Sequence, residues 1–338
     1  QNSHGTITPS GLHFERHPAG IPNIDPRRHV LVIHGLVDRP MKFSVAHLMR
    51  FPATSRTYFI ECSGTSGTEL MKARAPTVQL SHGLVSTSEW TGVPLSTLLR
   101  QTGLKEGAAW VLAEGADAAV MTRSVPLEKC LSDALIVYAQ NGEALRPEQG
   151  YPIRLLLPGW EGNVSIKWLR RLEVMDRPGQ TREETSKYTD LITTTGKARQ
   201  FTFTMEAKSV ITFPSGGQRL PGPGFYEITG LAWSGRGRIT RVEVSTDSER
   251  TWSVAGLQAP VLPIAQTRFR HPWIWDGTPA IIASRATDET GYTQPTKQQL
   301  IAARGEMEGG LVYHMNGIQH WRVDADGLVK NWHPLDPA

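Results

Sequence analysis

Cysteine is scarce in this chain of 338 residues: there are two, Cys62 and Cys130. Two cysteines cannot build a disulfide framework, although a single Cys62–Cys130 bridge stays open on spacing alone. No Cys-x-x-Cys-His occurs, which excludes covalently attached c-type haem here, so any haem electron carrier would be a separate subunit. Long apolar runs are missing too, and none approaches the roughly 20 residues that span a bilayer. Charge of one sign does not dominate. The 36 basic and 32 acidic residues are scattered, with no Lys/Arg block, so nucleic-acid binding has no footprint. A mild positive balance suits small anions or an acidic partner. Position 1 is Gln rather than Met, which leads us to expect a processed N-terminus from which an export signal has been removed. What remains is an ordinary globular composition, 39% hydrophobic and 20% charged, long enough for two cores.

The most informative stretch is Tyr58-Phe59-Ile60-Glu61-Cys62-Ser63-Gly64-Thr65-Ser66-Gly67. Good strand formers run straight into one cysteine, and a loop of small residues follows. A lone cysteine is most often a buried structural thiol. Here Gly64 and Gly67 would let something bulky come close. A thiolate so placed can ligate a soft or redox-active metal, or act as a nucleophile. Cys130, in Pro126-Leu127-Glu128-Lys129-Cys130, reads instead as a partly buried, inert thiol on a short helix.

Residues 1–29 are polar and turn-rich, carry Phe14, Arg16 and His17, and read either as a solvated arm or as a segment ordered by lying on something else. Strand signal follows over His29–Gly35, and a short helix near Val45–Met49. The apolar spacing predicts a helix over Leu95–Arg100 that stops at Gly103. Strands are expected at Ala109–Ala113 and Ala134–Ala139, the second entering an Asn141-Gly142 turn. Ile153-Arg154-Leu155-Leu156-Leu157 is an apolar strand with one embedded guanidinium, which requires an anionic partner, either a structural carboxylate or a bound phosphate. The region Arg177–Arg199 reads mostly as loop. From about Phe201, short alternating strands (Phe201–Met205, Tyr226–Ala232, Ile239–Ser245, Trp252–Val254) between Pro/Gly turns predict an immunoglobulin-like sandwich.

An ordered set of motifs resembles the sulfite oxidase family of molybdenum enzymes. These are Arg16-His17 with Ile21–Pro26, the Cys62 loop, Glu89-Trp90-Thr91-Gly92-Val93, Asn141–Leu145, Gly150-Tyr151-Pro152-Ile153-Arg154, Lys167-Trp168-Leu169 and Ala232-Trp233-Ser234-Gly235. Within the family the chain is most similar to the molybdenum subunits of sulfane dehydrogenases, through Leu155–Gly159, Ser186–Leu191 and Tyr313–Gln319. The resemblance implies an α+β molybdopterin-binding domain over residues 1–204, then an all-β immunoglobulin-like dimerisation domain over 205–338. It implies a molybdenum cofactor in mononucleotide form. It also implies a periplasmic location, a separate di-haem c-type cytochrome, and a carrier protein bearing the sulfur substrate. The expected assembly is a homodimer through the second domain, and a heterotetramer with the cytochrome.

Carried over residue by residue, Cys62 would ligate molybdenum. Phe14, His17, Asp117, Gln149, Arg154, Ser165, Ile166 and Lys167 would contact the pterin and its phosphate. Arg16, Tyr188 and Arg270 would serve the substrate pocket. Two departures matter: Gly67 stands where sulfite oxidases carry an arginine, and Gln149 where they carry a phosphate-gripping histidine. Fewer cations weaken a clamp on free sulfite and favour a larger, tethered sulfur chain. Sulfite dehydrogenase activity is the alternative within the class. Outside it stand a cysteine hydrolase and a binding module on an immunoglobulin-like scaffold, which leaves Arg154 and the Cys62 loop unexplained.

Overall fold

The computed structural model describes residues 5–192, 195–305 and 312–335. The chain divides into two compact units. The first comprises Pro9–Ile60 and Ser88–Thr189; the second comprises the N-terminal residues to Thr8, Glu61–Thr87, and the chain from Asp190 on.

The first unit is built on the strands β1 (Val30–Gly35), β2 (Met41–Ser44), β3 (Thr54–Glu61), β4 (Val85–Pro94), β5 (Trp110–Gly115), β6 (Thr122–Pro126), β7 (Leu135–Gln140), β8 (Glu143–Ala144), β9 (Arg154–Leu156) and β10 (Leu169–Met175). One sheet has the order β2-β1-β10-β5-β6, with β1 and β10 parallel. The other has the order β3-β4-β7-β8, and β9 adds to β7. The helix α1 (Val45–Leu48) is capped by the Ser44 side chain. In the second unit, α2 (Val78–His82) is capped by Thr77. In the first unit again, α3 (Leu95–Thr102) forms because Leu95, Leu98, Leu99 and Thr102 fall on one buried face. It ends at Gly103, whose φ of +69° suits glycine. Next, α4 (Leu127–Ser132) buries Leu127 and Cys130. The turn after β7 is tight because Asn141 and Gly142 both take positive φ, +51° and +79°. Ile60, Trp90, Leu135, Val137, Leu145 and Leu156 form one core, against which Phe14, Tyr58 and Tyr151 pack.

One expectation needs refinement and one needs correction. The polar stretch 177–199, of which 193–194 lie outside the described residues, is loop over just more than half of its described length. It holds the helix α5 (Arg182–Thr185), with a Thr181–Glu184 capping box, and a hairpin of β11 (Asp190–Ile192) with β12 (Lys197–Arg199). Conversely, Phe201–Met205 forms no strand beyond a single bridge residue at Thr204. Its alternating aromatics pack on each other instead, with the Phe201 and Phe203 rings stacked at 5.1 Å.

The second unit contains a sandwich. The strands β13 (Lys208–Phe213), β14 (Gly224–Trp233), β15 (Ile239–Ser245), β16 (Ser253–Val254), β17 (Gly256–Gln258), β18 (Thr267–Trp275), β19 (Ala280–Asp288), β20 (His320–Val323) and β21 (Val329–Trp332) form two antiparallel sheets. Their orders are β13-β14-β18-β17 and β16-β15-β19-β20-β21. Trp233, Trp321, Phe269, Val242 and Ile282 lie fully buried within it. Packing does the work that the immunoglobulin disulfide does elsewhere. The helix α6 (Lys297–Arg304) carries a Thr296–Gln299 capping box. Among the described residues no helix is long and apolar enough to cross a membrane.

Candidate functional site

In the first unit the site begins with Arg154. It opens β9 and is buried, as an apolar strand demands. Its guanidinium donates to the Gln149 carbonyl at 3.0 Å and the Ser165 carbonyl at 3.1 Å, and lies 5.3 Å above the Trp90 ring. Its Nε has no hydrogen-bond partner. Among the described residues no carboxylate pairs with it, which closes the structural-carboxylate alternative. Burial pushes its pKa down to about 9.

Lys167 follows in the bend just before β10. Gly150, at φ +107°, makes the approach possible, since a Cβ there would meet the Lys167 and Arg154 side chains at 3.1–3.2 Å. The Lys167 ammonium donates to the Glu148 carbonyl at 2.8 Å and the Arg16 carbonyl at 2.9 Å, above the Trp168 ring. Burial, and then Arg154, push it down to about 7. Gln149 is buried and donates to the Phe14 carbonyl at 3.0 Å. Ser165 Oγ accepts from the Leu157 amide, and Ile166 is packed in the core. A residue the sequence reading passed over completes the group. His13 is buried, stacked on Phe14 and edge-on to Trp90, with Nε2 unpartnered. Burial foremost, with smaller contributions from Arg154 and Lys167, pushes its pKa down to about 3, so it is neutral. Its only signal was the run His13-Phe14-Glu15-Arg16-His17. The arm is therefore an ordered part of the unit from His13 on, not a solvated tail.

Arg154 and Lys167 thus place two cations side by side, the first with a buried, unpartnered Nε–H and no carboxylate bonded to it, the second with Glu15, Asp117 and Glu148 acting only through their field, and such a pair suits a phosphate or another anionic ligand. The other expected contacts lie differently. Arg16 is exposed, and it is its carbonyl that joins the group through Lys167. His17 pairs with Glu15 at 2.9 Å. Asp117 caps the β5–β6 turn by accepting from the Met121 amide. Tyr188, at φ +49°, is half-buried with the Arg123 guanidinium 5.3 Å from its ring.

Both lysine and arginine here have folded-state values below their unfolded ones. Between the two values the unfolded chain binds more protons, so stability rises with pH. For Lys167 the cost is full at and below pH 7 and gone by 10.5. In cofactor-free protein, Lys167→Met is therefore expected to gain more in thermal midpoint at pH 7 than at pH 10. Comparing variant with wild type removes the opposite contribution of the Cys130 thiol. An equal difference at both pH values would contradict the assignment.

In the second unit Cys62 stands at the end of β3, its amide donating to the Leu84 carbonyl at 2.9 Å. The loop behind it is pinned on several sides. The His314 amide donates to the Ser63 carbonyl, the Ser66 amide to the Ser81 carbonyl, and the Val312 amide to the Gly67 carbonyl. Ser66 Oγ donates to the Met315 carbonyl. Ser63, Thr65 and Ser66 are buried, whereas Cys62 is half-exposed. A Cβ on Gly64 would come within 3.9 Å of the sulfur, so glycine keeps that side of it open. Gly67 is buried within the loop, so what it removes there is a charged side chain. The two cysteines are not bridged. Cys130 is fully rather than partly buried, and burial pushes its thiol up to about 12. Among the described residues no three His, Cys, Asp or Glu side chains converge. A metal at Cys62 would therefore bring most of its ligands with it, as a metal on an organic dithiolene does. Arg270 is on the exposed face of β18, 3.5 Å from Glu227.

The sequence matches the oxidoreductase molybdopterin binding domain over residues 18–183 and the Mo-co oxidoreductase dimerisation domain over 199–320. Together with the site chemistry they define a molybdopterin-binding oxidoreductase with a dimerisation domain. More particularly, the chain belongs to the sulfite oxidase family. Sulfite oxidase of Gallus gallus is 31% identical over 318 residues, covering 86% of this chain and 68% of that protein. A nitrate reductase [NADH] of Solanum lycopersicum is 33% identical over 87% of this chain, which spans only 37% of that reductase. The crystal structure of the sulfane dehydrogenase SoxCD from Paracoccus pantotrophus matches with a TM-score of 0.94 and 49% identity, over 98% of this chain and 84% of that one.

Proposed function

We propose that the chain is the molybdenum subunit of a periplasmic sulfane dehydrogenase, oxidising sulfur held on a carrier protein and passing electrons to a separate di-haem c-type cytochrome. In this reading residues 1–204 hold the cofactor and 205–338 make the homodimer. The observation that supports it most is the near-full-length likeness, at 49% identity, to a sulfane dehydrogenase. Gly67 and Gln149, both uncharged, agree with it.

The molybdenum cofactor supplies two-electron redox chemistry, with oxygen drawn from water. This chain's residues hold and orient. Cys62 presents a thiolate to the metal. Arg154 and Lys167 take the anionic part of the cofactor, with Gln149, Ser165, Ile166, Asp117, Phe14 and His17 shaping its seat. His13, neutral and with its Nδ1–H on the Phe14 carbonyl at 3.1 Å, offers Nε2 as an acceptor. Arg16 holds anionic sulfur–oxygen groups. Arg270 would do the same once released from Glu227. Tyr188, with the Arg123 guanidinium 5.3 Å from its ring, would offer its hydroxyl as a hydrogen-bond donor in the substrate pocket and so tune proton movement there.

A charge-assisted hydrogen bond contributes about 1.5–3 kcal/mol, so a pocket short of one arginine should disfavour free sulfite by roughly 10- to 150-fold. Steady-state assays with a c-type cytochrome as acceptor test this. Carrier-bound sulfane sulfur is expected to give the higher kcat/KM. Efficient sulfite turnover with no turnover of the carrier-bound sulfane would instead support the sulfite dehydrogenase reading.

A further inference from the structure

Glu61, the last residue of β3, immediately precedes Cys62 and is completely buried. One carboxylate oxygen accepts from the Lys208 ammonium at 2.9 Å, and the other from Trp233 Nε1 at 2.7 Å. Lys208, which opens β13, is buried as well. It also donates to Ser66 Oγ at 2.8 Å and to the Thr65 carbonyl at 3.3 Å. All three ammonium protons thus go to the residue before Cys62 and to two residues of the loop after it. Burial pushes the Lys208 pKa down, while Glu61 and then the Cys62 sulfur act to raise it, so the sulfur lies in the field of the ammonium. A buried ion pair is a poor device for stability, since apolar residues of similar volume commonly serve as well or better. Its presence here, gripping both sides of one cysteine, calls for another role.

We propose that Lys208 and Glu61, braced by Trp233, are positioning residues for the Cys62 sulfur, and that the Lys208 charge tunes how strongly that thiolate donates to a bound metal. The inference rests on the reading of Cys62 as the metal ligand. Neither residue is placed against substrate or cofactor; both act through Cys62 and its loop. Groups one step behind a ligand orient it and set the electronic character of the metal. A cation beside the thiolate stabilises the reduced, more negative centre and so raises its reduction potential, and an anion lowers it.

The test is the midpoint potential of the metal centre, with metal content and thermal midpoint measured on the same preparations of holoenzyme. Lys208→Met is expected to lower the potential, and Glu61→Gln to raise it. A pair that merely fills space would shift both in one direction, or neither, as the two variants loosen the same contact. Unchanged potentials, or shifts of the same sign, overturn the proposal. If neither variant accumulates folded, Trp233→Phe decides: it keeps an aromatic ring but removes the indole N–H from the Glu61 carboxylate, leaving that anion less neutralised, and should lower the potential. An unchanged potential there overturns it too. Wild-type protein without molybdenum would overturn the reading of Cys62, and this inference with it, a result distinct from loaded variants of unaltered potential.

Discussion

In Cys62→Ser, molybdenum is expected to fall to background and activity with it, while the protein folds as before. The hydroxyl of serine stays protonated and is a hard ligand, so it cannot replace a thiolate on a soft, redox-active metal. Little else changes at that position. Backbone groups and Ser66 hold the loop from several sides, serine differs from cysteine by one atom, and Cys62 is half-exposed. A substitution of this kind usually shifts stability by no more than about 0.5 kcal/mol. Elemental analysis and thermal unfolding, run side by side on the two proteins, check both halves. A serine variant that keeps a full complement of molybdenum would remove Cys62 from the metal's ligands. Active wild-type protein containing no molybdenum would point to the cysteine-hydrolase alternative.

Arg154→Met is the second large effect, and its sign differs between cofactor-free and loaded protein. In the cofactor-free protein Arg154 is a buried cation with carbonyl partners and no carboxylate. Methionine removes a desolvated charge without leaving a counter-ion stranded, so the thermal midpoint should stay level or rise. With the cofactor in place the guanidinium gains the anion it lacks. Losing about 1.5–3 kcal/mol of charge-assisted hydrogen bonding should weaken retention roughly 10- to 150-fold. The measurement is cofactor content after extended dialysis, alongside calorimetry of the stripped protein. Full retention in the variant would show that Arg154 does not grip the cofactor.

Arg154 was legible in the sequence because a charge inside an apolar run contradicts its surroundings, and such contradictions mark functional sites. The strand at residues 30–35, the helix ending at Gly103 and the Asn141-Gly142 turn were legible for a related reason: local periodicity or a required positive φ settles each. His13 was not. The run around it does not distinguish a buried imidazole from a surface one, and beside its neighbour Phe14 it is Trp90, far along the chain, that packs on it. The Cys62 loop shows a similar limit. Its residue types suggested a presented thiol, but the grip of Lys208 joins positions 142–147 residues apart. The stretch from Thr267 to Trp275 escaped notice because His271, Pro272 and arginines interrupt it, yet it pairs with β14 along its whole length. Phe201–Met205 failed in the opposite way, since alternation is necessary for a half-buried strand but does not supply a partner for it.

The sealed position of Cys130 has one more consequence. Sulfane sulfur moves between thiolates by exchange, and any accessible thiolate can intercept it. With one of its two thiols locked in the protonated form, and the other committed to the metal as proposed, an enzyme handling such cargo would offer no stray thiol acceptor. The chain would then be chemically quiet toward the very species it is proposed to oxidise.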